Sequence, residues 1–253
     1  MGLPFSSRKK KIIRARGIKQ PEVFDRQERL NGWNQKKIAG ARIGIIGAGG
    51  LGGLYVKNLA RLGIGEMIIC DSDFIEPSNL SRQLFYNDQI GMNKALALQK
   101  NLLRECTFST RIKAVPLDFQ DIRNDYRKAD ILVCLVDNDK TRYDVSDFGL
   151  KTDKPVLFSA VSEDMRLGYV FVQEKDGPCF NCIYPRENES KKNKCRYPAV
   201  IYIHTAVIGI TVYATICNIL GWKMPWNFFN FSLVSESIVI NRERREDCEI
   251  CRR

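Results

Sequence analysis

The sequence predicts an α/β fold: a mostly parallel, Rossmann-like sheet with helices on both faces, continued by a C-terminal antiparallel extension. Strand-like and helix-like segments alternate over about the first 160 residues, which is typical of a parallel sheet covered on both sides. A glycine-rich turn separates the first strand from the helix that follows it. After residue 161 the alternation stops, and further strand patterns follow, which indicates an antiparallel part.

The predicted strands of the parallel part are short apolar runs that can be buried on both faces of a sheet. They cover residues 41–46, 66–70, 111–115, 130–136 and 155–161. Helical patterns lie between them, at residues 51–62, 93–105, 121–128 and between 137 and 155. The extension is predicted as an antiparallel strand followed, after a polar loop and a long apolar helix, by two terminal strands, at residues 166–173, 229–234 and 237–241.

The long apolar helix, residues 199–220, carries no charge and has the length of a bilayer span. Threonines at 205, 211 and 215 interrupt its apolar surface. A single span here would also leave Cys182 and Cys248 on opposite sides of a membrane, where they could not share a metal. We therefore predict a buried core helix.

The net charge is +11, and seven of the positive charges fall among the first 20 residues without any acid between them. We predict a flexible basic tail over residues 1–20, which favours an acidic partner. Residues 1–6 also fit a short myristoylation pattern, but neither a membrane surface nor nucleic acid is the favoured partner. The basic residues are not followed by an apolar segment of the signal-peptide type, so we expect a cytoplasmic protein.

The glycine turn, Gly47-Ala-Gly-Gly-Leu-Gly52, fits G-x-G-x-x-G through Gly47, Gly49 and Gly52. Such a turn lets backbone N–H groups approach phosphate oxygens closely, although a purely structural turn has the same pattern. Asp71 ends the next strand, where it can accept hydrogen bonds from a ribose. Gly47, Asp71 and Asp137 all follow strand ends, which indicates one shared site for NAD, FAD or ATP.

A set of polar and cationic residues narrows the choice among NAD, FAD and ATP. Asn79, Arg82 and Lys94 follow the second strand, and such cations suit a triphosphate and a pentavalent transition state better than hydride transfer. A set of ordinary surface charges is the alternative.

Two Cys-x-x-Cys pairs, Cys179/Cys182 and Cys248/Cys251, offer four thiolates at the spacing of a tetrahedral zinc site. Four protein ligands leave no open coordination position, so the metal would be structural and would fasten the C-terminal segment to the loop after residue 173. Two dithiol redox pairs are the alternative.

Six motifs in order give the chain a family resemblance. They are Arg26-Gln27, the glycine turn, Asp71-x-Asp73, Asn79-Leu-x-Arg82-Gln83, Gly91-x-x-Lys94 and Val136-Asp137-Asn138. Over about residues 23–251 the chain resembles the ThiF/MoeB/HesA superfamily, the bacterial relatives of ubiquitin-activating enzymes, whose zinc site the cysteine pairs also match.

The resemblance implies a magnesium-dependent adenylyltransferase that uses ATP to activate a C-terminal carboxylate. Asp137 would hold Mg²⁺, and Arg26 would reach the triphosphate of the partner subunit in a homodimer. The implied nucleotide contacts are Gly47, Gly49, Gly50, Gly52, Asp71, Asp73, Asn79, Arg82, Gln83, Lys94 and Asn138. The acceptor would be a ubiquitin-like sulfur-carrier protein or a precursor peptide.

One adenylation domain is predicted over residues 21–253, with a nucleotide-binding core at about 38–162 and an acceptor-binding, zinc-bearing part at about 163–253. A nicotinamide or flavin oxidoreductase and a non-catalytic binding module remain as alternatives.

Cys195 is a candidate nucleophile, because neighbouring cations favour its thiolate, although an incidental exposed cysteine fits equally well. Ala199 and Ile203 stand where many relatives have glycine and proline, so the acceptor channel is expected to differ. His204, the only histidine, is predicted to be a core residue.

Overall fold

The computed structural model describes residues 20–105, 110–186 and 198–251, and the side chains of residues 20–22 and 105 are not described. The predicted basic tail and Cys195 therefore lie outside the described residues. In the described part, the strands are β1 (Arg42–Ile46), β2 (Glu66–Cys70), β3 (Arg111–Val115), β4 (Ile131–Cys134), β5 (Val156–Val161), β6 (Leu167–Gln173), β7 (Phe228–Ser232) and β8 (Ile238–Ile240). The α-helices are α1 (Gln20–Glu28), α2 (Gln35–Gly40), α3 (Gly50–Leu62), α4 (Lys94–Glu105), α5 (Phe119–Ile122), α6 (Asp139–Thr152), α7 (Phe180–Ile183) and α8 (Ile201–Leu220).

These strands form one sheet in the order β3-β2-β1-β4-β5-β6-β7-β8. The pairings from β3 to β5 are parallel, whereas β6, β7 and β8 pair antiparallel. The predicted fold class, with its antiparallel extension, is confirmed. One helix prediction differs: residues 121–128 form the end of α5 and a 3₁₀ segment at Arg123–Lys128.

Apolar packing covers both faces of the sheet, because successive strand residues point to opposite sides. On β1, Ile43 and Ile45 join one core cluster with α2, α3, α4 and α8, while Ile46 joins a second cluster with α5, α6 and α7. The central strands β1, β2, β4 and β5 are thus buried on both sides, which explains their nearly continuous apolar sequences.

Helix α8 has the length and apolarity of a membrane span, yet it packs against α3, β5 and β6. The side chains that face this packing include Ile203, Val207 and Thr211, each fully or almost fully buried. Its threonines are satisfied inside the helix or across it: Thr215 Oγ1 lies 2.7 Å from Tyr55 Oη on α3. The prediction of a core helix is confirmed.

Candidate nucleotide and metal sites

The register of the parallel strands brings the predicted site residues to one edge. Ile46, the last residue of β1, is aligned with Cys70 of β2 and with Cys134 of β4. The residues that follow these strands therefore leave the sheet side by side. Gly47 and Asp71 lie at this edge directly, and Asp137 follows β4 by three residues.

The glycine turn is held closed by backbone contacts that exclude side chains. Gly47 has φ +102°, in a region that favours glycine, and its N–H donates to the Cys70 carbonyl at 3.0 Å. A Cβ on Gly52 would stand 2.1 Å from the Gly47 carbonyl oxygen. Helix α3 begins at Gly50, and no side chain caps its N-terminal N–H groups. This leaves a phosphate-sized set of donors at the end of the turn.

We expect Gly52→Ala to weaken ATP binding by roughly tenfold or more, because the methyl group must push the turn open. Calorimetric titration measures the affinity for ATP, and thermal unfolding measures the stability of each variant. Gly209→Ala is the matched control: Gly209 lies inside α8 with nothing within 4 Å of the added Cβ, so stability should rise slightly and ATP affinity should not change. Equal ATP affinity in both variants would contradict this role for the turn.

Asp71 binds backbone N–H groups through both of its carboxylate oxygens, one of them in the glycine turn. Oδ2 accepts from the Ala48 N–H at 2.7 Å, and Oδ1 accepts from the Asp73 N–H at 2.9 Å. Burial raises the pKa of Asp71, and these N–H groups and the charge of Lys94 oppose the shift. The predicted ribose contact of Asp71 stays a prediction, and it would use the remaining acceptor capacity of the same oxygens.

The predicted phosphate-binding residues lie along the segment after β2 and at the start of α4. Lys94 is largely buried and its Nζ lies 2.7 Å from Asp73 Oδ2, whose side chain is exposed. Arg82 donates to the Ser78 carbonyl at 2.7 Å. Gln83 is buried near Gly49, with its Oε1 unpartnered. An incoming phosphate could draw Lys94 from Asp73, since that ion pair is open to solvent on one side.

Two asparagines of the predicted site bind backbone in the structure. Asn79 Oδ1 accepts from the Glu76 N–H at 3.1 Å, and Asn138 Oδ1 accepts from the Thr141 N–H at 2.9 Å, which caps α6. Asp137 is exposed next to this cap, at the end of β4. Arg26 is exposed on α1, so it is accessible from outside the protomer. The nucleotide roles of these residues stay predictions.

Sequence reasoning missed Arg142, on the first turns of α6. Its guanidinium donates to the Val136 carbonyl at 2.8 Å and to Asp139 Oδ1 at 2.7 Å. Burial alone would lower its pKa, but Tyr169, Cys134 and Asp139 outweigh that effect, and the pKa is raised. Arg142 thus fixes the chain just before Asp137. Its position four residues after the helix-capping Asn138 is the signal that could have revealed it.

A cavity of about 270 Å³ opens at the same sheet edge, where β5 ends and β6 begins. Its polar lining residues are Ser162, Tyr169, Tyr184 and Asn230. A larger cavity of about 440 Å³ lies at the opposite edge, where β1, β4 and β5 begin. The smaller cavity is the better candidate for an acceptor chain, because it continues the edge that carries the glycine turn.

The four paired cysteines come together at the end of the antiparallel part. Their sulfur atoms all lie within 4.8 Å of one another. The Sγ atoms of Cys179 and Cys182 are 3.8 Å apart, those of Cys179 and Cys248 are 3.6 Å apart, and those of Cys182 and Cys251 are 3.4 Å apart. A tetrahedral Zn²⁺ with bonds of about 2.3 Å separates its sulfurs by about 3.8 Å. The cluster therefore fits a structural zinc ion.

The surroundings favour thiolate in one of these cysteines. Burial alone would raise the pKa of Cys248, but hydrogen bonds from the Cys251 N–H and from Asn181 outweigh it and lower the pKa to about 6. Burial raises the pKa of Cys251 to about 11. The other two cysteines lie on a short turn whose Phe180 N–H donates to the buried Gln173 side chain at 3.0 Å, so the cluster is attached to the sheet.

A model of the ThiF family matches residues 20–250. This chain belongs to the ThiF family. The resemblance that the motifs indicate is therefore confirmed. A sulfur carrier protein adenylyltransferase of Thermus thermophilus is 30% identical over 229 residues, covering 86% of this chain and 84% of that protein. A sulfur carrier protein ThiS adenylyltransferase of Bacillus subtilis is 34% identical over 154 residues, 59% of this chain and 45% of that protein.

Solved structures agree on the fold. The crystal structure of E. coli MccB with MccA-N7isoASN has a TM-score of 0.75 at 22% identity, covering 86% of this chain and 69% of MccB. At that identity the likeness shows the shared fold. The names of the relatives confirm the predicted adenylyltransferase class. The chain spans most of the Thermus protein but 54% of an adenylyltransferase and sulfurtransferase of Kluyveromyces lactis.

Proposed function

We propose that this ThiF-family chain binds ATP at the glycine turn and transfers its adenylyl group to the C-terminal carboxylate of a ubiquitin-like sulfur-carrier protein or a small peptide. The arrangement that carries this proposal is the uncapped N-terminus of α3 at the sheet edge where Asp71 and Asp137 follow their strands. Gln83, the neighbour of Arg82 in the chain, lies near Gly49 of this turn, and Lys94 pairs with Asp73 in the segment after Asp71. The attacking carboxylate is already ionised, so no base is required.

The attacking oxygen forms a bond to the α-phosphorus while the bond to pyrophosphate breaks. Arg82 and Lys94 would offset the charge that moves onto the leaving pyrophosphate. Asp137 would hold Mg²⁺, which supplies charge neutralisation between the phosphates. One exposed carboxylate suits this metal, because Mg²⁺ takes one or two carboxylates together with phosphate oxygens and water.

The remaining parts of the proposal concern assembly and location. A homodimer would bring the exposed Arg26 of one protomer to the triphosphate of the other. The four-cysteine cluster would hold zinc. Cys195 would act as the nucleophile that attacks the acyl-adenylate after it has formed. A cytoplasmic protein with a basic tail over residues 1–20 would suit an acidic acceptor.

ATP–pyrophosphate exchange tests the reaction with two acceptors: a ubiquitin-fold sulfur carrier ending in Gly-Gly and a short peptide with a free C-terminus. We expect magnesium-dependent exchange with one of them. The same acceptors with amidated C-termini are the matched controls, since an amide offers no attacking oxygen anion. ATP binding without exchange on either acceptor would contradict the proposal and favour a binding module.

A further inference from the structure

Helix α8 leaves an uncharged stripe uncovered along its first turns. Tyr202, Thr205, Gly209 and Tyr213 are spaced three or four residues apart, so they share one face of the helix, and all four are exposed. Tyr202 is 51% and Tyr213 is 47% exposed. This α8 stripe is roughly 16 Å long at a rise of 1.5 Å per residue. An exposed surface of this kind on a core helix indicates a contact with another molecule.

No contact inside the protomer requires glycine at position 209. Within the described part of the chain, nothing lies within 4 Å of a Cβ placed on Gly209, and its φ is not positive. Glycine in a helix interior is less favourable than alanine. Gly209 and Thr205 are the small residues between the two tyrosines, so they would let a second helix come close at the middle of the stripe.

The α8 stripe is complementary to itself. In an antiparallel pair of α8 helices related by a twofold axis at the middle of the stripe, Tyr202 faces the partner's Tyr213, and Thr205 faces the partner's Gly209. Helix α8 contains no Lys, Arg, Asp or Glu, so two copies meet without repulsion between like charges.

The direction of α8 connects this pairing with the nucleotide site. Helices α3 and α8 run side by side in the same direction, since Gly50 lies against His204 and Tyr55 Oη lies 2.7 Å from Thr215 Oγ1. The glycine turn therefore lies at the beginning of α8, and the C-terminal end of α3 lies toward the end of α8.

Helix α1 lies at that far end. Phe24 fills the space beside Gly63, and Gln27 donates to the Leu62 carbonyl at 3.1 Å. Arg26, between these two residues of α1, is thus separated from the glycine turn of its own protomer by the 13 residues of α3, a length of roughly 20 Å. An arginine side chain is much shorter than that. An antiparallel pair of α8 helices exchanges the two ends, so each α1 comes beside the glycine turn of the other copy.

The charges of the two ends are complementary. Arg26, Lys36 and Lys37 are exposed on α1 and α2, and no ion pair to them occurs among the described residues. At the other end, the exposed Asp73 and Glu76 follow β2, and a bound triphosphate would add further negative charge. The basic end of one copy therefore suits the nucleotide end of the other.

The area of contact also requires both ends. A stable dimer buries about 800 Å² on each partner, which is more than one stripe of this length supplies. Exposed apolar side chains extend the surface on and after α1: Val23 is 37% and Leu30 is 54% exposed. They lie at the end of the protomer that carries Arg26, so the same antiparallel pairing covers them.

We propose that the α8 stripe is the interface between two copies of this chain, with the two α8 helices antiparallel and Arg26 of each copy at the nucleotide site of the other. The inference rests on the proposed adenylation for the task of Arg26 at the triphosphate. It adds the surface through which the copies meet and the direction in which they pair.

Gly209 allows a test that leaves the protomer intact, because a side chain there meets nothing within it. Gly209→Glu and Gly209→Lys each place two like charges close to the axis. We expect each to raise the dissociation constant of the dimer roughly 100-fold or more in sedimentation equilibrium, and an equimolar mixture of the two to recover the tight dimer. Gly209→Ala adds only an uncharged methyl group and is the control that stays dimeric. Circular dichroism should be the same for all of them.

Three results would overturn the inference. The charged variants could remain dimers when each is alone, which would place the interface on another face. Their mixture could stay monomeric. The unmodified protein could be monomeric even at saturating ATP, which would leave the α8 stripe to another occupant such as the acceptor.

The mixed dimer also tests the direction of pairing. The Gly209→Glu copy additionally carries Arg26→Ala, and the Gly209→Lys copy carries Asp137→Asn. Arginine supplied by the partner completes one of the two sites, so ATP–pyrophosphate exchange should be about half that of the mixed dimer with the charges alone. Arginine acting in its own protomer would complete neither site, and a loss of exchange would overturn the antiparallel pairing. A mixed dimer with the charges alone that exchanges with neither acceptor would contradict the proposed function and leave the interface standing.

Discussion

Asp137→Asn is expected to lower magnesium-dependent ATP–pyrophosphate exchange by roughly 100-fold or more, the usual scale for removing one group that stabilises transition-state charge. The substitution keeps the size of the side chain and removes the charge that would attract Mg²⁺. Asp137 is exposed at the carboxyl end of β4, and no ion pair to it occurs among the residues that the structure describes. Its carboxylate is therefore available to a metal, unlike that of Asp139, which pairs with Arg142 at 2.7 Å.

Magnesium titrations distinguish a metal ligand from a structural residue. The variant should regain part of its exchange rate at high Mg²⁺, and its affinity for metal-free ATP should not fall, because a negative charge near the triphosphate has been removed. Asp88→Asn is the matched control, at an exposed aspartate on the Asn87–Gln89 turn, and it should exchange normally. A normal rate for Asp137→Asn at limiting Mg²⁺ would show that another group holds the ion.

The parallel strands were the part of the fold that sequence could predict most closely. Both β2 and β3 have the bounds that their patterns predict. The buried strand β2 is an apolar run after a polar first residue, and the edge strand β3 alternates between polar and apolar residues. Their order in the sheet follows from no single segment. It depends on crossovers between strands that lie far apart in the chain, such as the pairing of β1 with β4.

The site was predictable as a place and less so as a set of contacts. Strand ends locate Gly47, Asp71 and Asp137, since the carboxyl ends of parallel strands share an edge. Sequence does not say which polar side chains are used by the protein's own backbone. Asp71 binds the turn and Asn138 caps a helix, both through local geometry that appears only after folding.

The position of His204 also shows that long-range contacts cannot be predicted from this sequence. The sequence prediction of a core histidine agrees with its burial. The sequence does not predict that its ring lies against Gly50, which stands more than 150 residues earlier in the chain. Glycine at position 50 leaves room for the ring, because a Cβ there would stand in tight contact, 3.3 Å from Nε2. A contact between a ring and a distant glycine leaves no periodic pattern in a sequence, because the glycine contributes no side chain to the contact.

Cys248→Ser is expected to release zinc and to lower the thermal midpoint by about 10 °C, since loss of a structural metal costs several kcal/mol and each kcal/mol corresponds to about 2–4 °C in a chain of this size. The metal would join the turn that carries Cys179 and Cys182 to the C-terminal segment, which otherwise contacts that region through side chains such as Arg244, bonded to the Gly177 carbonyl at 2.9 Å. Metal analysis of the purified protein and thermal unfolding with and without a chelator measure both effects.

Cys217→Ala is the matched control for this loss, because Cys217 is equally buried but lies on α8, outside the cluster. It should keep its zinc and lose stability only through a small cavity, on the order of 1 kcal/mol. A chelator should then lower the midpoint of the control and of the unmodified protein by the same amount, and leave Cys248→Ser unchanged. A chelator effect of equal size in Cys248→Ser would mean that the stabilising ion binds elsewhere. Metal-free protein with an unaltered midpoint would mean that the four thiols hold the segment without an ion, by packing around Ile250 and Leu150 alone.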